Sequence, residues 1–241
     1  MRNKKKYVMF DIDGTLIRAL APEFAIGRFP YAIKKVFNKD INLDSSMWSK
    51  RFNGVGDRGI FLGLLEGSGV SQELLVSELD ALGNAFDEYL TNASKERVLY
   101  AKIDHAHQLF KKVHTSRHHV LGTLTGNLGK SALWKLSHVG ISTDQFCVSV
   151  YGHEADMRDD LAKLVIPKIE TLYGETPDPR DIIFIGDTKH DIICARSIGA
   201  RVIIVTTGWN IDKEELQIMK PDLLVDSLMD ERVLQLLELK T

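Results

Sequence analysis

Apolar residues in this chain gather into short, continuous runs rich in β-branched side chains. They span residues 7–10 at the start, then 119–124, 146–150, 182–185 and 202–205, with 223–225 following Pro221. Continuous rather than alternating apolar runs predict strands covered by helices on both faces. Between them the spacing predicts helices over 104–113, 130–137, 160–173 and 191–198. Strands that alternate with helices predict an α/β fold with a doubly wound, mostly parallel, Rossmann-like sheet, and 223–225 as a short edge strand.

Residues 19–96 break this rhythm. They hold no buried strand pattern, but amphipathic segments over 24–37, 59–65 and 72–90; in the last, Leu75, Leu79, Leu82 and Phe86 fall at helical spacing. The block predicts an inserted all-α cap over 19–96, with 1–18 and 97–241 forming the α/β core.

Composition changes little in this picture. Of 241 residues, 44% are hydrophobic and 27% charged, the balance of an ordinary soluble globular protein. A net charge of −2 gives no reason to expect nucleic acid or an anionic membrane as partner. The two cysteines, Cys147 and Cys194, are far apart in apolar surroundings and read as small core residues of a reduced, cytoplasmic protein. Lys4, Lys5 and Lys6 read as a solvated lead-in, because only four apolar residues separate them from Asp11. A signal peptide needs roughly 7–15 and a membrane span roughly 18 or more.

Candidate chemistry sits at the ends of the predicted strands. In DIDGTL, Asp11 and Asp13 directly follow YVMF, and residues two apart in an extended chain project to one side. Gly14 allows a tight turn and Thr15 can hydrogen-bond locally to hold it. Two carboxylates this close repel unless a cation lies between them. FIGDTKHD places Asp187 and Asp191 after another strand, and LTGN places Thr125, Gly126 and Asn127 after a third. Ligands of open α/β sheets bind at those carboxyl ends. An oxygen-only ligand set suits Mg²⁺. No Cys/His set has zinc spacing: His105 and His107 are two apart, which on a helix gives no common face, and His190 reads as a solvent-facing loop residue. The stretch VLGTLTGNLGKSA contains Gly129-Lys130-Ser131 but has Leu124 where a nucleotide-binding P-loop needs glycine. Lys130 and Ser131 therefore read as the start of an ordinary helix.

Together DIDGTL, LTGN and GDTKHD, with a cap inserted after the first strand, resemble the haloacid dehalogenase superfamily, in particular its phosphoglycolate phosphatase-like phosphatases. The resemblance implies a Mg²⁺-dependent phosphatase acting on a small phosphorylated metabolite. Asp11 would be the nucleophile that forms an aspartyl phosphate, and Asp13 the general acid and then base. Mg²⁺ would be held by the side chains of Asp11 and Asp187 and the backbone carbonyl of Asp13. Thr125, with the N–H groups of Gly126 and Asn127, would hold the phosphoryl group, and Asp191 would orient the site from behind. The family's third motif places a lysine after the third strand; here Arg158 aligns best, with Lys163 as the fallback and pairing of Arg158 to Asp159 or Asp160 as the bland alternative.

Substrate contacts are expected from the cap segment RFNGVGDRGIF, through Arg58 and, less directly, Arg51 and Asn53. The acid at position 13 favours ester hydrolysis over dehalogenation. A phosphomutase of the hexose-phosphate type keeps both acids and stays open, as does a monomer or a homodimer. A phosphate-accepting signalling or scaffold protein without turnover is the rival of another class.

Overall fold

The computed structural model describes residues 5–52, 54–155, 157–209 and 211–240. Six parallel strands form the central sheet: β1 (Lys6–Phe10), β4 (His119–Leu124), β5 (Val148–Val150), β6 (Ile182–Gly186), β7 (Arg201–Val205) and β8 (Leu223–Val225). Their spatial order is β5-β4-β1-β6-β7-β8. All five residues of β1 and of β6 are buried, as central strands covered on both faces require. Two apolar layers result, one on each face. Val8, Phe10, Ile183 and Ile185 face one; Tyr7, Met9, Ile182 and Phe184 face the other.

Several expectations are corrected at the edges of elements. Lys6 is not solvated lead-in: it joins β1, is buried, and its Nζ donates to Leu236 O at 2.9 Å and pairs with Glu238 at 2.8 Å. Lys5 lies over the Tyr173 ring, and Lys4 lies outside the described residues. The helix expected over 160–173 begins at Arg158 and is divided into Arg158–Lys163 and Val165–Tyr173. Pro167 lacks the N–H that would bond the Lys163 carbonyl, so the ladder breaks there. The segment 72–90 likewise divides at Glu78, into Gln72–Ser77 and Leu79–Ser94. Cys194 is buried, but Cys147 is exposed and not a core residue.

A feature without a sequence signal is the antiparallel pair β2 (Ile17–Ala19) and β3 (Tyr100–Lys102). Three-residue strands are too short to show alternation. This pair carries the chain into and out of the helical block. That block has its own apolar cluster around Phe29, Phe61 and Phe86, whose rings lie 5.0–5.3 Å apart. Leu128, from the loop after β4, also belongs to this cluster, so the helical block rests on the core exactly where the candidate chemistry lies; no described helix is long and apolar enough to cross a membrane.

Candidate active site

The sheet explains the convergence. β1 lies between β4 and β6, so Asp11, Thr125 and Asp187 leave the carboxyl ends of three adjacent strands. Asp11 N–H continues the ladder by donating to Ile185 O at 2.8 Å, and its carboxylate is buried. Gly14 then turns the chain with φ of 79°; a Cβ there would stand 2.3 Å from Asp187 Oδ2. Thr15 does not hold this turn, because its hydroxyl has no partner among the described residues. Thr207 does so instead, donating to Gly14 O at 2.7 Å.

Arg158 enters from the start of its helix. One nitrogen, Nη2, donates to Asp11 Oδ2 at 2.9 Å and Asp191 Oδ1 at 2.7 Å; Nη1 reaches Gly54 O of the helical block at 3.2 Å. It therefore does not merely pair with its helix neighbours Asp159 and Asp160. Lys163 is exposed and pairs with Asp160, away from the site. Asp191 Oδ2 accepts from Asp187 N, Thr188 N and Thr188 Oγ1, a helix-capping arrangement that also fixes Asp187. His190 is half-buried and packs against Gly54, contrary to the solvent-facing reading.

Asp13 is held from the other side. Lys135 Nζ donates to its Oδ2 at 2.7 Å and to Asn127 Oδ1 at 2.7 Å, and Asn127 Nδ2 donates to the same Asp13 oxygen at 2.8 Å. Lys135 was not singled out from the sequence. Its signal would have been a lone lysine on the buried face of the helix Gly129–His138, where Ser131, Ala132 and Leu136 are also buried. The backbone N–H of Asn127 points to Thr125 Oγ1 at 3.3 Å, so in this arrangement it serves the loop rather than the cavity. Lys130 is exposed and donates to Asn84, as an ordinary helix start allows.

The cap arginines are placed differently from expectation. Arg51 pairs with Glu66 at the surface, Arg58 is buried but absent from the cavity lining, and Asn53 lies outside the described residues. The arginine facing the cavity is Arg28, on the helix Pro22–Phe37, whose Nη2 lies 2.9 Å from Asp57 Oδ1. Spacing within one segment could not reveal it, because Arg28 and Asp57 come from separate helices. Asp57 also ties this block to the loop after β4: its Oδ2 accepts from Leu128 N at 2.8 Å and its N–H donates to Gly126 O at 2.7 Å. Gly126 is required there, since a Cβ would stand 2.6 Å from Gly56 Cα.

Electrostatics make this a strained cluster of acids. Burial pushes the Asp11 carboxyl up to about 6, with Asp191 and Asp13 adding to the rise and Arg158 opposing it. Burial raises Asp187 far more, and Asp191 and Asp11 add to it. Burial would raise Asp13 too, but the Lys135 and Arg28 cations outweigh it and hold it below the ordinary range. Ligand oxygens of Asp11, Asp187 and Asp191 all lie within 4.8 Å of one another. Asp187 Oδ1 is buried with no hydrogen-bond partner among the described residues. Crowded carboxylates and an orphaned oxygen fit a hard divalent cation. Asp191, whose oxygens are taken by Arg158 and the helix start, fits less well as its ligand than Asp187.

Two of three adjacent parallel strands thus end in acids and the third in Thr125, beneath a helical block inserted after the first. Residues 154–230 match the family model described as HAD-hydrolase-like. In the solved structure of CbbY from Rhodobacter sphaeroides in complex with phosphate, 98% of this chain superposes on 100% of that one, with a TM-score of 0.74 at 17% identity. A predicted phosphoglycolate phosphatase from Haemophilus somnus is similar over 98% of this chain and 100% of its own, with TM-score 0.67 and 19% identity. An inferred beta-phosphoglucomutase from Thermotoga maritima is similar over 97% and 98%, with TM-score 0.58 and 19% identity. No curated protein matches in sequence. The family model thus matches one segment of the chain, and the fold over nearly its whole length is that of these solved structures.

Proposed function

We propose that the protein is a Mg²⁺-dependent phosphatase that hydrolyses a small phosphorylated metabolite through an aspartyl phosphate on Asp11. The observation that carries this reading is the opposed holding of two carboxylates two residues apart. Arg158 directs Asp11 into the cavity from one side, and Lys135 and Asn127 hold Asp13 from the other. Held apart in this way the two can take separate roles, Asp11 as a nucleophile freed of its proton by an adjacent cation and Asp13 as a proton carrier once a phosphoryl dianion beside it raises its proton affinity.

In this reading an Asp11 oxygen attacks phosphorus and the bond to the leaving oxygen breaks. Asp13 gives that oxygen its proton, then takes one from the water that cleaves the acyl phosphate. Thr125 Oγ1 already accepts from Asn127 Nδ2 at 2.8 Å, so its own hydrogen is directed elsewhere, to a phosphoryl oxygen. Arg158 supplies fixed positive charge beside the attacked group. The carboxylates of Asp11 and Asp187, with the Asp13 carbonyl, would hold Mg²⁺, which when bound screens the approach of one anion to another. Asp191 keeps Asp187 and Arg158 in place. The helices over 19–96 act as the cap, which excludes water and contacts the leaving group.

The test is phosphate release over a panel of phosphorylated metabolites with Mg²⁺, using Asp11→Asn as the blank. Turnover that persists in Asp11→Asn would refute the mechanism; single-equivalent phosphorylation without release would favour the signalling class. The likeness to an inferred mutase supports a second reading, in which the phosphoryl group returns to another hydroxyl of the sugar. An isomerised sugar phosphate in place of free phosphate would identify it.

A further inference from the structure

The cavity holds about 330 Å³, and four acids and four cations line it. Three of those cations are already committed. Lys135, with its side chain 1% exposed, is bound to Asp13; Arg158 is bound to both Asp11 and Asp191. On the cap side Arg28 is bound to Asp57, both nearly inaccessible at 5% and 4%. Asp57 cannot swing away to release it, because Leu128 N–H holds its second oxygen at 2.8 Å. Arg18, the remaining cation, is exposed at the rim and keeps its hydration.

Lining acids and cations are equal in number and Asp191 adds a further buried carboxylate on Arg158, so the two charges of the proposed divalent cation are matched by no more than one phosphoryl dianion. A second anionic group would be buried near Asp57 and Asp13 with only the exposed, hydrated Arg18 left uncommitted, which is costly away from water. The cap offers a different kind of contact. Ile26, Phe52 and Ile60 are buried cavity-lining residues, Trp48 is half-buried, and Trp209, also in the lining, is 48% exposed. Such a wall with few polar groups suits a leaving group with an apolar face.

We propose that the ester processed here has an uncharged leaving group that lays an apolar face against the cap, and not one that carries a second phosphate or a carboxylate. This rests on the phosphatase reading above. The inference deepens that reading, because the fold alone leaves the substrate's charge open. Asp57 is the residue that enforces the selectivity: it cancels the one buried cation that faces the leaving group.

Esters of similar size and shape whose leaving groups differ in charge test this: open-chain sorbitol 6-phosphate against 6-phosphogluconate, and ethyl phosphate against 2-phosphoglycolate. The uncharged member of each pair is expected to have about tenfold higher kcat/KM, and to bind Asp11→Asn more tightly by calorimetry. Asp57→Asn keeps an acceptor for Leu128 N–H but uncovers the Arg28 charge, and is expected to narrow the ratio several-fold. If that variant does not fold, the wild-type ratios and the binding data still decide. Equal or better use of the charged member would overturn the inference and leave the phosphatase reading standing. No phosphate release from any ester, 4-nitrophenyl phosphate included, would overturn the phosphatase reading itself.

Discussion

Lys135 Nζ lies 2.7 Å from Asp13 Oδ2, although 122 positions separate the two residues. The lysine is almost fully buried, so burial lowers its own affinity for a proton while Asp13 opposes that loss. Its position gives Asp13 one committed oxygen and leaves the other for the proton exchange proposed for it.

Lys135→Met should therefore impair proton transfer to poor leaving groups. A fall in kcat of about 10²-fold is expected for alkyl phosphates, within the range of general acid–base catalysis. The loss should be much smaller for 4-nitrophenyl phosphate, whose leaving group needs little protonation. Steady-state kinetics on both esters check this; equal losses would reduce Lys135 to a structural role.

Arg158 joins Asp11, Asp191 and the Gly54 carbonyl, and its removal strands two buried carboxylates. Arg158→Ala should lower kcat at least 10²-fold and destabilise the fold by about 3–5 kcal/mol. Arg158→Lys should restore part of kcat but not the tie to the cap, leaving KM raised. Denaturant melts alongside kinetics separate the two effects.

The raised carboxyl of Asp11 predicts an inverted pH dependence of stability in metal-free protein. Its folded value, about 6, lies above the ordinary carboxyl value of 3.8, so the folded state binds the extra proton between them. Stability from this group is then present at low pH and lost as pH rises through about 6. Asp11→Asn should be more stable than wild type at pH 7.5 by roughly 1–3 kcal/mol, with the difference vanishing near pH 4. Thermal melts in chelator across that range read it directly.

Asp187 Oδ1 is buried without a partner among the described residues, so a divalent cation should stabilise the native state as well as support turnover. A chelator should abolish activity and Mg²⁺ restore it. The melting temperature should climb with Mg²⁺ in wild type, and stay flat in Asp187→Asn. A shared rise would place the cation elsewhere.

Much of this site was legible because it sits where local pattern ends. Asp11, Thr125 and Asp187 each follow a continuous apolar run, and parallel strands bring their carboxyl ends together whatever the intervening helices do. Arg158 was also within reach, at the start of a helix after the third of those runs. The cap was harder. Arg51 and Arg58 lie in the segment that drew attention, yet Arg51 pairs at the surface and Arg58 lies outside the cavity lining, while Arg28 on another helix faces the cavity.

The sequence by itself determined the alternation of strands and helices, the helical insertion, and the identity of the acids at the strand ends. These follow from periodicity and spacing, which act within one segment. Only the tertiary structure decided which cations those acids meet: Lys135 for Asp13, Arg158 for Asp11 and Asp191, and Arg28 for Asp57. Each of these pairs joins elements far apart in the chain. Their distances depend on how helices pack on the sheet and on one another, and no local pattern encodes that.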